Sequence, residues 1–535
     1  MKTMKTKIIL IAIAAITASC VSELDPKNLG SNAVTSQTVY NTPDDYLQGL
    51  AKLYASFAVS GQQGPAGNSD ISGLDEGFGV YLRELWNVQE LTTDEAVIAW
   101  NDQTIKNFHW QTWTPNDVFI AAMYARVMLT VTISNEFIRA SAVAAESNAT
   151  IKQYHAEARF VRALAYWHAL DLFGNPPFVT EKDLPGAFLP KQTNAKALYA
   201  YIVKELKAIE GDLLTPSGVP GGDDYGHATK GALYMLQAKL YLNHKTYLGA
   251  EDVKNYDSCI TALNKLTTLN KYSLASNYLL NFAANNNTSP ELIFTINYDG
   301  AHTQSYGGMD YIIHAALGGS MSPAKFGVAG GWGGTRTTSA FAGKFTTPDP
   351  TGPDVRAQFY KPGQALVITD IGTFTDGYAI QKFTNRTIPD GPSASGVPDF
   401  VDTDYPMFRL ADAYLMLAEA FVRGGAGTDA ATATQAMNDV ITRAYPGGGA
   451  PTHSALVVNS ATDLADILDE RARELYWEGH RRTDLIRYGL FTTGYNWPWK
   501  GNVAAGIATD SHLNLFPIPS ADMSANPTLK QNLGY

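Results

Sequence analysis

The sequence predicts a mainly α-helical fold, built from degenerate tetratricopeptide-like helical hairpins that support a loop-rich face. Two observations carry this. Apolar residues recur at helical spacing in three segments, Ile202, Leu206, Ile209 and Leu213, then Leu233, Leu236 and Leu240, then Leu410, Tyr414, Leu417 and Phe421; such a stripe is what a helix buries on one side. Each is followed by a turn and a second amphipathic segment, the pattern of paired helices, although no clean repeat period emerges. Between about residues 272 and 400 the helical period disappears and Gly, Asn, Thr and Pro dominate.

Taken in order, the chain begins with Lys2, Lys5 and Lys7, an apolar run from Ile8 to Ile16, and Thr17-Ala18-Ser19-Cys20. A basic start, an apolar segment too short to span a bilayer and small residues before a cysteine predict a cleaved lipoprotein signal peptide over 1–19, with Cys20 as the lipidated first residue. The plainer alternative is an ordinary signal peptide with a chance cysteine at its end; Thr17 stands where such signals usually carry Leu. Residues 20–37 are polar, with Pro26, Asn28, Gly30 and Ser31, and read as a tether. Residues 38–535 then read as one domain.

With 535 residues, 45% of them hydrophobic and 11% aromatic, the chain has ample apolar surface for a large core. A formal net charge of −11 argues against binding nucleic acid through bulk charge. Cys20 and Cys259 are the only cysteines, so a chain lipidated at Cys20 folds without disulfides. No second run of eighteen or more apolar residues is present, which makes the protein anchored to a membrane and not embedded in it.

The glycine-rich stretch around Gly318, Gly327, Gly330, Gly331, Gly333 and Gly334 disfavours helix, yet Tyr306, Tyr311, Phe326 and Trp332 are too apolar a set for a solvated linker. Helices are therefore expected to supply a scaffold, and loops a site.

Common catalytic signatures are missing. Ser322-Pro323-Ala324-Lys325 fits a Ser-x-x-Lys pattern, but that chemistry needs a helix to bring Lys beside Ser. The acidic pairs Asp75-Glu76 and Asp94-Glu95 do not by themselves flank a glycosidic bond from opposite sides. Thr92-x-x-Glu95 is read as a capping box at a helix start. Aromatics suggest more: sugars present flat C–H faces that stack on Trp and Tyr, while Asn, Gln, Asp and Arg bind hydroxyls. Trp86, Trp100, Trp110 and Trp113 cluster near Asp75, Arg83, Asn87, Asn101 and Gln103. The core is expected to take two or three of these four tryptophans. Trp332, in a run of glycines, is expected to face ligand.

Further landmarks are AEARFVRALAYWHALDLFG (156–174), FRLADAYLMLAEA (408–420), ERARELYWEGHRRTDLIRY (470–488), FPIP (516–519) and QNLGY (531–535). With the lipobox cysteine, they identify the chain as resembling the SusD/RagB outer-membrane lipoproteins along nearly its whole length. The resemblance implies about four tetratricopeptide-like units and a lipid-anchored, cell-surface protein of the outer membrane. In that family such proteins capture glycan and pass it to a SusC-like TonB-dependent transporter, sitting on it as a hinged lid and breaking no bond. Glu470, Arg473 and Glu474 are then scaffold, expected in buried ion pairs between helices.

The loops look most like the starch-binding founder of the family. Residues 74–83, 90–95 and 99–100, with 306–311 and 331–332, match the founder's binding regions. This implies an aromatic arc of Trp100, Tyr306 and Trp332, with Asp75, Arg83 and Asn101 or Gln103 bonding hydroxyls of starch or malto-oligosaccharides. Departures are Ile98 where the founder has Trp, and Gln103 where it has Asn. Another polysaccharide, or a peptide, is the alternative cargo, and a surface glycoside hydrolase is the rival class. No cofactor is required; a structural calcium at Asp402 and Asp404 is implied by the founder, although Asn285, Asn286 and Asn287 fall where a further Asp is expected.

Overall fold

The computed structural model describes residues 39–535 apart from Pro185 and Ala187. The predicted signal peptide, the tether and Cys20 lie outside the described residues. Helix α1 (Pro43–Ala58) opens on Thr42, whose side chain accepts from the Asp45 amide while the Asp45 carboxylate accepts from the Thr42 amide. The capping box thus stands here and not at Thr92-x-x-Glu95. Thr92 instead follows a π-helical turn, Asn87–Leu91, that extends α2 (Tyr81–Trp86), and its hydroxyl donates to the Val88 carbonyl. Asp94 and Glu95 are buried, Asp94 against Arg481, so these acids serve tertiary contacts rather than a helix start.

The scaffold is a series of paired helices. Strand β1 (Val97–Ile98) leads to α3 (Val118–Ala145) and α4 (Ala149–Phe173), which are capped by Asp117 and Asn148 and pack along each other across a three-residue turn. Helix α3 is long and apolar enough to cross a membrane, but it lies in the core. Its buried Arg126 donates to the carbonyls of Gly79 and Ser60. Helix α5 (Ala195–Ile209) packs on α4 through Leu198, Ile202, Leu206 and Ile209, and Leu213 is buried just past its end. A second pair is α6 (Lys230–Leu242) with α7 (Val253–Thr268), where Leu233, Leu236 and Leu240 are fully buried.

The loop-rich region leaves and re-enters this scaffold through one antiparallel pair. Strand β2 (Leu292–Ile296) sets Leu292 opposite Arg409 and Ile296 opposite Tyr405 of β4 (Tyr405–Arg409). Between them lie a seven-residue helix, α8 (Met309–Ala315), buried along its whole length, and strand β3 (Thr335–Arg336), paired with β1. Two turns of helix are too short to show a period in sequence. After β4 come α9 (Leu410–Val422) and α10 (Ala430–Arg443), a third pair, and then α11 (Ala461–Leu475) and α12 (Arg481–Arg487).

Buried charges join helices to loops. Glu474 on α11 accepts from Arg409 on β4 at 2.5 Å, from Arg356 in the loop-rich region at 3.2 Å, and from Arg443 on α10. Arg409 also pairs with Glu291 and Glu478, and loop residue Lys382 with Glu478. Glu470 pairs with Arg356 and with Arg473 one turn further on. The expected ion pairs are therefore present, but most tie helix to strand or loop instead of helix to helix. Breaking such a pair strands uncompensated charge in the interior. Arg409→Met is expected to lower stability by about 3–5 kcal/mol in urea denaturation. A second consequence concerns acid. Two arginines, Arg487 and Arg423, hold the buried Glu419 carboxyl down from 4.5 to about 2. A depressed carboxyl stabilises the fold above its unfolded value and loses that contribution as pH falls through the folded one. Melting temperature should therefore drop between pH 4.5 and 2, and less steeply in Glu419→Gln, measured against wild type at neutral pH.

Candidate functional site

Helix α8 is the floor of the site. The last carbonyls of a helix lack partners within it, and here a glycine-rich loop supplies them. The amide of Trp332 donates to His314 O, that of Gly333 to Leu317 O and that of Gly334 to Ala315 O, each at 2.8 Å. Ala99 then donates to Gly334 O at 2.8 Å, and Trp100 Nε1 to Trp332 O at 3.1 Å. Two tryptophans far apart in sequence are thereby fixed side by side. The glycines permit the close approach: a Cβ on Gly331 would stand 2.4 Å from Leu317 O, and one on Gly334 2.7 Å from the Trp100 ring.

Trp100 and Trp332 have ring centroids 6.3 Å apart with planes at 41°, and Trp332 and Tyr306 are 6.5 Å apart at 60°. Tyr306 is 40% exposed. Together with Arg83, Asn101 and Asp102 they line one open cleft of about 490 Å³. Neighbouring rings are thus inclined to one another instead of forming one flat platform. Arg83 is buried, with its guanidinium carbon 4.3 Å from the Tyr311 ring and 5.7 Å from that of Trp100. Among the described residues no carboxylate pairs with it, and its Nε has no partner. The neighbouring buried Glu84 carboxyl interacts with this guanidinium electrostatically.

Of the sequence-predicted residues, Trp100, Tyr306, Trp332, Arg83 and Asn101 come together; the Asn101 side-chain Oδ1 accepts from Lys106 Nζ at 2.6 Å. Asp75 and Gln103 do not line the cleft. One Asp75 oxygen accepts the amides of Gly77 and Phe78, holding a turn in which a Cβ on Gly77 would stand 3.9 Å from Tyr306, and Gln103 is exposed with φ +34°. Asp102, which the sequence analysis passed over, takes part; its adjacency to Trp100 and Asn101 was the available signal. Trp86 and Trp113 are core, and Trp110 packs half-buried with Trp499 on Val97, Ile368 and Ile371. Ser322 precedes a single 3-10 turn, Pro323–Phe326, and both it and Lys325 are exposed to solvent, with no hydrogen bond between their side chains among the described residues.

Asp402 and Asp404 both take hydrogen bonds from neighbouring protein groups. Asp402 accepts the amides of Gly300 and Ser395, one on each oxygen; Asp404 accepts the Tyr298 amide and the Tyr225 hydroxyl. Burial raises the Asp404 carboxyl to about 7, which favours its neutral form. Among the described residues no group of three or more His, Cys, Asp or Glu is placed to hold a metal.

The sequence pattern of the SusD family matches residues 360–535. Starch-binding protein SusD of Bacteroides thetaiotaomicron is 33% identical over 591 residues, spanning 99% of this chain and 100% of that protein. SusD-like protein P25 of Formosa agariphila is 26% identical over 422 residues, 71% of this chain and 73% of its own. Among solved structures, a SusD homolog from Bacteroides thetaiotaomicron has a TM-score of 0.72 at 18% identity, covering 95% of this chain and 100% of that one. Surface glycan-binding protein A from the same species, in complex with laminarihexaose, has a TM-score of 0.65 at 18% identity, covering 92% and 100%. The two structures share its fold. With a relative this similar end to end, and a family pattern over its last third, the chain belongs to the SusD family.

Proposed function

We propose that this protein is a cell-surface, lipid-anchored glycan-binding protein that captures starch or malto-oligosaccharides and delivers them to a partner TonB-dependent outer-membrane transporter. The observation that carries the reading is the row of mutually inclined rings, Trp100, Trp332 and Tyr306, in one cleft, with Arg83 and Asp102 beside it. Aromatic faces offer apolar area for sugar C–H groups, and the flanking polar groups give orientation. Inclined rings suit the coiled path of an α-glucan better than a straight chain. The similarity to a protein named starch-binding supports the same cargo. An open cleft of this kind favours modest affinity per site, which avidity on a polymer offsets. Hydrolysis is disfavoured because glycosidases use two carboxyl groups flanking the bond, and Asp102 is the one carboxylate among the described residues lining the cleft.

Native gels containing amylopectin, laminarin, levan, xylan or no polymer test this with the chain from residue 39 onward. Amylopectin is expected to retard the wild type and not Trp332→Ala; failure of amylopectin to retard it removes the starch assignment. Gly334→Ala, which forces a methyl against the Trp100 ring, should weaken retardation and cost about 1–3 kcal/mol of stability, read by thermal melting. A reducing-end assay on starch is expected to stay flat.

A further inference from the structure

Each ring of the cleft is backed by a second ring on its buried side. Tyr311 and His314, three residues apart on α8 and so on neighbouring positions of one face, stand behind Trp100 at 6.0 Å and Trp332 at 4.8 Å, and Phe400 stands behind Tyr306 at 5.4 Å. The His314 pair is the closest and most parallel of the three, with planes 24° apart. His314 is 3% exposed and does not line the cleft. Its Nδ1 lies 2.7 Å from the Gly330 carbonyl, so that nitrogen carries the proton and donates. Its Nε2 is buried with no partner among the described residues, and burial holds the ring's pKa down, so the imidazole is neutral.

The backbone bonds from α8 fix where Trp332 starts but leave its two side-chain torsions free. A ring laid flat on one face removes that freedom. We propose that His314 is a positioning residue for ligand capture: its ring, stacked on Trp332, sets the tilt at which Trp332 meets a sugar ring. The gain comes from ordering the ring before ligand arrives, so that binding does not bear that entropy. This rests on the glycan-binding reading above, and the test separates the two.

The variants His314→Phe, which keeps a ring without the donor, and His314→Asn, which keeps a donor without the ring, are compared with wild type. Calorimetry with maltoheptaose gives affinity, and near-ultraviolet circular dichroism gives the Trp332 band, defined as wild type minus Trp332→Phe. His314→Asn is expected to bind about three- to tenfold more weakly, the range of an aromatic pair, and to lose the band. His314→Phe is expected to stay within about twofold and keep it. Melting curves check folding, and His314→Leu repeats the comparison if Asn is not accepted in the buried site. The proposal is overturned if the ring-less variants bind as wild type with the band intact, or if Phe and Asn lose affinity equally. Should wild type bind no maltoheptaose, the α-glucan reading fails, while the band in the His314 variants still decides whether His314 orients Trp332.

Discussion

The buried charge cluster around Glu474 is the constraint on which the rest of the structure depends. Three arginines from three parts of the chain, Arg356, Arg409 and Arg443, converge on this one carboxylate, which they hold down at about 2. Placing so many ions in the interior is costly, and the Coulomb gain repays it only where geometry is tight and every partner is present. A chain that misplaces one member strands the others. Removing any one member leaves buried charge uncompensated, so the docking of the loop-rich region on the helical scaffold depends on every partner being in place.

From that cluster the order passes to the cleft through rings. Glu474 and Glu478 bracket the turn that carries Trp477, whose indole donates to Glu95 O at 3.0 Å and packs edge-on against Trp86 at 5.2 Å. Trp86 meets Tyr311 at 5.6 Å, and Tyr311 supports both Arg83 and Trp100. Close packing makes such a stack stiff. The aromatic surface is thus held from beneath by core residues, even though it is built on loops, and this reconciles a glycine-rich site with a defined shape. Where loops carry function they need a rigid support; here the support is α8 and the aromatic column below it.

The helical half of the fold was legible in the sequence because its signal is local. Ile202, Leu206 and Ile209, or Leu233, Leu236 and Leu240, announce a helix by spacing alone, and the structure buries them as expected. The Thr92-x-x-Glu95 reading failed for the opposite reason. Thr92 and Glu95 look like cap residues in a local window, but Glu95 meets Trp477, and its neighbour Asp94 meets Arg481, almost four hundred residues away. Likewise the backing rings of the cleft were invisible, since nothing in the sequence around His314 points to Trp332.

Residue by residue, the division is physical. The sequence by itself determined the helical class and the position of the loop-rich region, because periodicity and composition are properties of neighbours along the chain, and its resemblance to a known family implied the candidates Trp100, Tyr306, Trp332 and Arg83. Only the tertiary structure decided that those four share one cleft, that Asp102 joins them while Asp75 and Gln103 stand outside, and that Trp86 and Trp113 are core. It also decided that Asp402 and Asp404 spend their oxygens on backbone amides and a tyrosine. Such outcomes depend on which buried polar groups find partners and which aromatic faces find cover, and both are settled between segments distant in sequence.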